Sequence, residues 1–500
     1  MSADTTHPRH IIELTAALDR TTLPTGASTE VKCHVRLRAT SDVTPAIAGG
    51  TVATSLCVLF DCSSSMMGPR LSIALDAANA IVDTLHERHR LSVVGFQSDV
   101  LRLIDNAQAT AAHKAALKHE LLRLRPFAGG STNLAAGIAE GVRTLCARPA
   151  DARVMVILSD GRPDSASRAE QAAQAASEAG IQLFAVGIGA DYEADQLLKL
   201  VTASNGAVFG DSDLDTVKAT LAGVVGRIDN FVATNAHVVV TLGDGVQPRG
   251  VYKTSPERAF LGDIAPSAPR AVHLHVGNIE HGQSYAFVLV ATAPARPKGA
   301  FEFARATLTC DVGALGLRGH TEETTLSVSY DDRGSVRWSA DVATAYRGAR
   351  IAELAQAVVE AQRRGDKKAS VERLERLLAH ADDITDARQK AQVQELLDRV
   401  RAGQSIANER LNALVVGSTA KAPYEDARLF DVVLHAPGEQ IVRVVRDVRD
   451  VTGMSLREIA DLVKLAPATL GPPLLESAAQ VLRHKLEAAG AQVEVRRHEA

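Results

Sequence analysis

The chain reads as a multidomain protein of α/β and β type. A doubly wound α/β domain sits inside a β-sandwich, and a helical bundle and a small α/β C-terminal domain follow. Three observations predict this. Between residues 50 and 228, short apolar runs alternate with helical spacing, the pattern of a mostly parallel sheet covered on both faces. From Phe231 to about Trp338 only strand-like runs occur. Helical spacing returns over 341–413, and the chain closes on a β-α-α-β pattern over 429–497.

Residues 1–48 supply two strand-like runs, His10–Leu14 and Val31–Arg38, the second with clean period-2 alternation. They have no nearby partners. They are therefore expected to pair with the strands of 231–338, which makes the α/β domain an insertion. A short Ala/Gly-rich stretch, Pro45 to Gly50, leads into it. In that domain strands are expected near 55–60, 91–96, 99–104, 153–158 and 181–187. Helices are expected near 69–88, 111–124, 132–146, 166–179, 193–204 and 213–228. The close pair at 91–104 predicts a hairpin and one antiparallel edge. Gly187 and Gly189 lack the third glycine of a dinucleotide loop and read as a tight turn.

Beyond Phe231 the clearest strands are Val238–Leu242, Ala271–His275, Tyr285–Val290 and Thr325–Tyr330. Ile351, Leu354, Val358 and Val359 keep helical spacing until Gly365-Asp366 breaks it. Val371, Leu374, Leu377 and Leu378 predict a second helix, and Val393, Leu396, Leu397 and Val400 a third. Residues 414–428, with Gly417 to Asp426 lacking periodicity, read as a linker.

In the last domain Leu429–Leu434 reads as a strand, and Ile441–Val451 as a helix with Val442, Val445 and Val448 on one face. Gly453 ends it, and Ser455-Leu456-Arg457-Glu458 has the form of a capping box opening a second helix to Val463. Pro467 stops that run. A third helix, Glu476–Ala488, is capped at Gly490, and Gln492–Arg496 closes the unit as a strand.

At 500 residues the chain is long enough for roughly three or four domains. A formal charge of −4 argues against non-specific nucleic-acid binding as the main task. Cys33, Cys57, Cys62, Cys146 and Cys310 are odd in number and scattered, with no C-x-x-C, and read as reduced thiols. Met1 to His10 lacks the apolar core of a signal peptide. No run approaches the ~18 apolar residues of a membrane span. A cytoplasmic location without membrane contact is the resulting expectation, and the Ala- and Arg-rich composition fits a bacterial, GC-rich source.

Asp61-Cys62-Ser63-Ser64-Ser65 follows the buried-looking run Leu56–Phe60. A carboxylate and alternate hydroxyls at a strand end suit a hard cation, Mg²⁺ or Mn²⁺, better than zinc. Alone, the pentapeptide is equally an Asx- or Ser-stabilised turn. Two later segments change the weighing. Gly129-Gly130-Ser131-Thr132-Asn133 brings another hydroxyl, and the apolar run Val154–Leu158 ends in Ser159-Asp160-Gly161. This series resembles the metal-ion-dependent adhesion site (MIDAS) of von Willebrand factor type A (VWA) domains, over roughly residues 50–228. The resemblance implies a Rossmann-like fold and a metal held by Asp61, Ser63, Ser65, Thr132 and Asp160. Ser64 stands where that family carries Gly, but at no ligand position. Asp164 reads as a solvated loop residue or helix cap. His86 and His89 read as a solvated helix end.

The C-terminal segment resembles the C-terminal domain of the bacterial ribosomal stalk protein. Phe430–Leu434, Val442 to Gly453, Asp461–Val463, Ala466–Ala468 and Leu486–Val495 carry the resemblance. In that family the first two helices dock translational GTPases. Here Val442, Arg446 and Arg449 match docking positions, Arg443 replaces a small residue, and Ala460 replaces a lysine. Arg443, Arg446 and Arg449 recur every three residues as a basic stripe, equally readable as a solvated helix face.

These readings imply a metal-dependent protein-binding scaffold or adaptor. The first partner would offer an Asp or Glu to the metal, and the C-terminal module would dock a second. A translation-linked regulator contacting a GTPase or ribosomal component is the alternative. VWA domains also work beside AAA+ ATPases, which the resemblance adds as a possible partner class. Catalysis is not expected: no G-x-x-x-x-G-K-[ST] or G-x-S-x-G occurs, and the sixteen histidines do not cluster at ligand spacing.

Overall fold

The apolar run ahead of Asp61 becomes the centre of a sheet whose neighbouring strands are equally buried. The computed structural model describes residues 11–40, 52–189, 191–211, 214–265, 270–331, 338–381, 387–419, 429–452, 454 and 456–498. The readings made for Met1 to His10, Pro45 to Gly50, Gly453 and Ser455 lie outside these residues.

In chain order, three strands come first: β1 (Ile12–Leu18), β2 (Thr22–Leu23) and β3 (Thr29–Ala39). The α/β unit then runs β4 (Thr54–Asp61), α1 (Pro69–Thr84), β5 (Arg90–Phe96), β6 (Val100–Gln108), α2 (Ala111–Leu121), α3 (Leu124–Phe127), α4 (Leu134–Cys146), β7 (Ala152–Ser159), α5 (Ala166–Glu178), β8 (Ile181–Ile188), α6 (Ala194–Thr202), β9 (Val208–Asp211) and α7 (Leu214–Asp229). Its sheet order is β6-β5-β4-β7-β8-β9, parallel except for the β5–β6 hairpin at one edge. The short edge strand β9 has no counterpart in the sequence reading, because four residues carry too little alternation to register. β4 and β8 are buried along their whole length, as parallel strands covered on both faces must be. Helices α1 and α7 pack on one face, and α4, α5 and α6 on the other.

Seven long antiparallel strands follow: β10 (Phe231–Leu242), β11 (Gln247–Ser255), β12 (Ala259–Asp263), β13 (Ala271–Glu280), β14 (Ser284–Ala293), β15 (Gly299–Val312) and β16 (Leu317–Tyr330). They divide between two five-stranded sheets, ordered β1-β3-β14-β11-β12 and β13-β10-β15-β16-β2. β3 pairs with β14 from Arg38↔Ser284 to Thr29↔Ala293, so strands on either side of the α/β unit share a sheet. Val35, Leu37, Phe287 and Leu289 from one sheet and Val238, Val240, Phe303 and Leu308 from the other fill a common core.

Helices α8 (Ala340–Arg363), α9 (Lys367–Ala381), α10 (Ala387–Arg401) and α11 (Asn408–Thr419) come next. Gly365, at φ +68°, makes the α8–α9 break. Helix α11 extends into the segment read as a linker from 414. Leu411, Leu414 and Val415 are buried there, and Leu411 and Val415 join the α/β core. Three buried apolar positions in twelve residues form a face too short to stand out in the sequence. The rest of the expected linker, 420–428, lies outside the described residues.

The last unit is β17 (Leu429–Ala436), α12 (Ile441–Thr452), α13 (Leu456–Lys464), β18 (Ala468–Thr469), β19 (Leu474–Leu475), α14 (Glu476–Ala488) and β20 (Gln492–Arg497). One expectation changes here. The buried face of α12 is Val444, Val448 and Val451, and Val442 is 85% exposed. The expected set stepped by three residues, and at 3.6 residues per turn that walks off the core. Glu458, whose capping-box partner Ser455 lies outside the described residues, meets Arg20 at 2.5 Å. Arg20 also stacks on Trp338, itself a member of this unit's core, and Arg347 donates to the Pro473 carbonyl at 2.6 Å. The module is thus seated against the preceding domains.

His89 also departs from expectation. Helix α1 stops at Thr84, and the turn after it buries His89, whose Nε2 meets Asp229 at 3.2 Å. Cys33, Cys57, Cys62 and Cys310 are buried free thiols, each pushed up to about 12 by burial, and Cys146 is exposed.

The corrected face of α12 has a direct test. Val448→Ala should destabilise the C-terminal unit by about 1–3 kcal/mol, and Val442→Ala by less than about 0.5 kcal/mol. Amide exchange over α12–α14 in the full chain reads both.

Candidate metal centre

Sheet order decides where the site falls. The chain leaves β4 towards β5 on one side and returns to β7 on the other, so a crevice opens at the carboxyl ends of β4 and β7. Asp61 ends β4, and Asp160 directly follows β7. Because Phe60 pairs with Leu158, the two carboxylates emerge side by side. Both residues are fully buried.

The surrounding loops tie themselves to this point. Asp61 Oδ1 accepts from the Ser63 amide at 2.9 Å, and Oδ2 accepts from the Ser159 hydroxyl at 2.6 Å. Burial pushes the Asp61 carboxyl up to about 6, against the hydrogen bonds from Ser159 and Ser63, and the nearby Asp160 charge adds to the rise. Ser63 Oγ and Ser65 Oγ lie 3.1 Å apart. The Ser64 amide donates to Gly130 O at 3.1 Å and its hydroxyl at 2.9 Å, and the Gly129 amide donates to Cys62 O at 2.7 Å. Ser64 thus clamps the first loop to the second, a task the family's glycine side chain could not perform. Gly129 and Gly130 make the turn at φ +140° and +77°.

Thr132, 6% exposed, sits just before the Asn133 cap of α4. Asp164 holds it there. The Thr132 amide donates to Asp164 Oδ1 and the Asp164 amide to Thr132 O, both at 2.9 Å. Asp164 is the exposed loop residue the sequence suggested, but its side chain is engaged with Thr132 and is no helix cap; Ser165 caps α5. It joins the second loop to the third. A reciprocal pairing of residues 32 apart leaves no local sequence signal. Ser159 stood within the Ser159-Asp160-Gly161 signature, but its bond to Asp61 depends on the β4–β7 register.

One buried oxygen has no partner. Asp160 Oδ2 meets Arg70 Nη1 at 3.3 Å, but Asp160 Oδ1 makes no hydrogen bond. A buried carboxylate oxygen without a donor is costly. Set beside Asp61 and the Ser63, Ser65 and Thr132 hydroxyls, it completes an all-oxygen donor set that fits a hard divalent cation. Among the described residues no cluster of three or more His, Cys, Asp or Glu side chains forms a softer metal site.

The second set of sequence candidates lies elsewhere, on α12. Val442, Arg443, Arg446 and Arg449 are all exposed. Arg443 and Arg446 approach Asp447 at 3.7 and 3.9 Å. Ile441, Leu456 and Leu465 are exposed in the same unit, at 48%, 49% and 69%. The module therefore presents apolar and basic surface together.

The comparisons with known proteins fall on the same two regions. The von Willebrand factor type A domain profile matches residues 55–223, and the ribosomal protein L7/L12 C-terminal domain profile matches 430–496. A von Willebrand factor type A protein from Catenulispora acidiphila superposes with TM-score 0.66 at 20% identity, over 82% of this chain and 96% of its own. The ArnB paralog VWA2 from Sulfolobus acidocaldarius gives TM-score 0.53 at 15% identity, over 82% and 98%. Both share the fold. Large ribosomal subunit protein bL12 of Heliobacterium modesticaldum is 34% identical over 125 residues, 24% of this chain and the whole of that protein. The Aeromonas hydrophila protein of the same name is 43% identical over 84 residues, 17% of this chain and 69% of its own. Among the described residues no helix is long and apolar enough to cross a membrane.

If Asp164 orients Thr132 for a cation, Asp164→Ala should weaken Mg²⁺ and Mn²⁺ binding by about 10–100-fold. Isothermal titration of the chelator-treated full chain measures this.

Proposed function

Because the chain belongs with proteins that carry a von Willebrand factor type A domain, joined here to a ribosomal L7/L12-type C-terminal domain, we propose that it is a metal-dependent protein-binding adaptor. Mg²⁺ or Mn²⁺, held by Asp61, Ser63, Ser65, Thr132 and Asp160, would complete its coordination with an Asp or Glu of one partner. The unpartnered, buried Asp160 Oδ1 beside Asp61 carries this reading. In it, the α/β unit is an insertion in a β-sandwich, the protein works in the cytoplasm, and it is not an enzyme.

The C-terminal module would dock the second partner through Val442, Arg443, Arg446 and Arg449. Their shared exposure, with Ile441, supports this. The same face favours a second reading, a translation-linked regulator contacting a GTPase or ribosomal component. An AAA+ ATPase remains a candidate for the first partner.

A pull-down from native lysate separates these. The full chain, Asp61→Ala and a chain ending at Thr419 are compared in Mg²⁺ and in EDTA. We expect one set of partners lost with EDTA and Asp61→Ala, and another lost only on truncation. Partners indifferent to all three changes would overturn the adaptor reading. A truncation-sensitive set rich in translational GTPases would favour the regulator.

A further inference from the structure

Arg70 stands in the first turn of α1, directly after the metal-site loop. Its Nη1 meets Asp160 Oδ2 and the Ser65 carbonyl, each at 3.3 Å, and its Nη2 pairs with Asp191. The side chain is 27% exposed and Asp160 is not exposed at all. Among the described residues Arg70 is the one cation paired with either buried carboxylate. The guanidinium therefore neutralises Asp160 from the rim of the site a divalent cation would occupy.

The chain makes room for this. Gly189 lies at φ +94°, and a Cβ there would stand 2.9 Å from Arg70 Nε. Asp191, the outer anchor, is itself held by Arg162, which donates to its carboxylate at 2.8 Å and its carbonyl at 2.9 Å. Beyond Asp191, Asn412 of α11 accepts from the Ala194 amide at 3.2 Å and donates to Tyr192 O at 2.5 Å. The loop carrying Asp191 is thus stapled to the helical region, and a released Arg70 has a fixed carboxylate to rest on.

We propose that Arg70 is a tethered counter-ion that competes with the divalent cation for Asp160, and that Asp191 holds it when the cation takes its place. The inference rests on the metal-binding reading above. Its physical basis is charge. Two buried carboxylates without a cation need a positive neighbour, and a divalent ion beside a guanidinium is repelled by it. A residue that merely supports the loops would have the opposite signature, because its loss would loosen the donor set and weaken binding.

The test is isothermal titration of the chelator-treated full chain with MgCl₂ and MnCl₂, comparing wild type, Arg70→Met, Arg70→Lys and Asp191→Asn. Thermal unfolding in EDTA and in saturating Mg²⁺ accompanies it. Arg70→Met should bind either ion at least about 10-fold more tightly. It should unfold at lower temperature than wild type in EDTA, with the gap narrowing in Mg²⁺. Arg70→Lys, which keeps the charge, should stay near wild type. Asp191→Asn should weaken binding, and that effect should vanish in the Arg70→Met background. Equal or weaker binding by Arg70→Met, in a chain whose wild type binds the ions, would overturn the competitor role alone. Absence of binding in wild type and in Arg70→Met alike would overturn the metal reading and this proposal with it. Binding by Arg70→Met but not by wild type would support the competitor in its strongest form.

Discussion

Two carboxylates buried side by side at the ends of neighbouring parallel strands constrain everything around them. Asp61 and Asp160 meet because β4 and β7 pair, and each would be costly to bury alone. Three of their four oxygens are answered, by the Ser63 amide, the Ser159 hydroxyl and the Arg70 guanidinium. The loops are shaped to supply those answers. Ser64 ties the first loop to Gly130, and Asp164 ties the second to the third, so no loop moves without disturbing the others. The fourth oxygen gives this frame a use.

The sequence announced most of this, for physical reasons. Short uninterrupted apolar runs ahead of Asp61 and Asp160, alternating with helical stretches, read as strands buried on both faces, and strand ends in such a sheet are where ligands bind. Residue types at those ends suggested a hard cation, and the structure gathers those residues at one crevice. What stayed hidden depends on distance along the chain. Arg70 and Asp191 are 121 residues apart, and Asp164 reaches Thr132 across 32; neither pairing has a period or a motif. His89 looked like a solvated residue, and only the turn after Thr84 buries it against Asp229. On α12 the helix was right but the phase was wrong: a step of three puts Val442 in solvent, and the core positions, Val444, Val448 and Val451, follow the helical repeat. The second half of helix α11 was taken for linker because its short apolar face packs partly against another domain.

The seating of the C-terminal module changes what the two surfaces can do together. A freely tethered module would search a volume set by its linker, and almost any pair of partners could be bridged. Here Glu458 meets Arg20, Pro473 accepts from Arg347, and Trp338 sits in the module's core. If the adaptor proposal holds, the crevice at Asp61 and Asp160 and the α12 face would act as the jaws of a caliper rather than as tethered hooks. Two partners, or two sites on one partner, would then be held at once only if their spacing and angle matched the opening of those jaws. Selectivity would then arise from measurement as well as from contact chemistry, and a complex of the wrong dimensions would be refused although each of its parts binds.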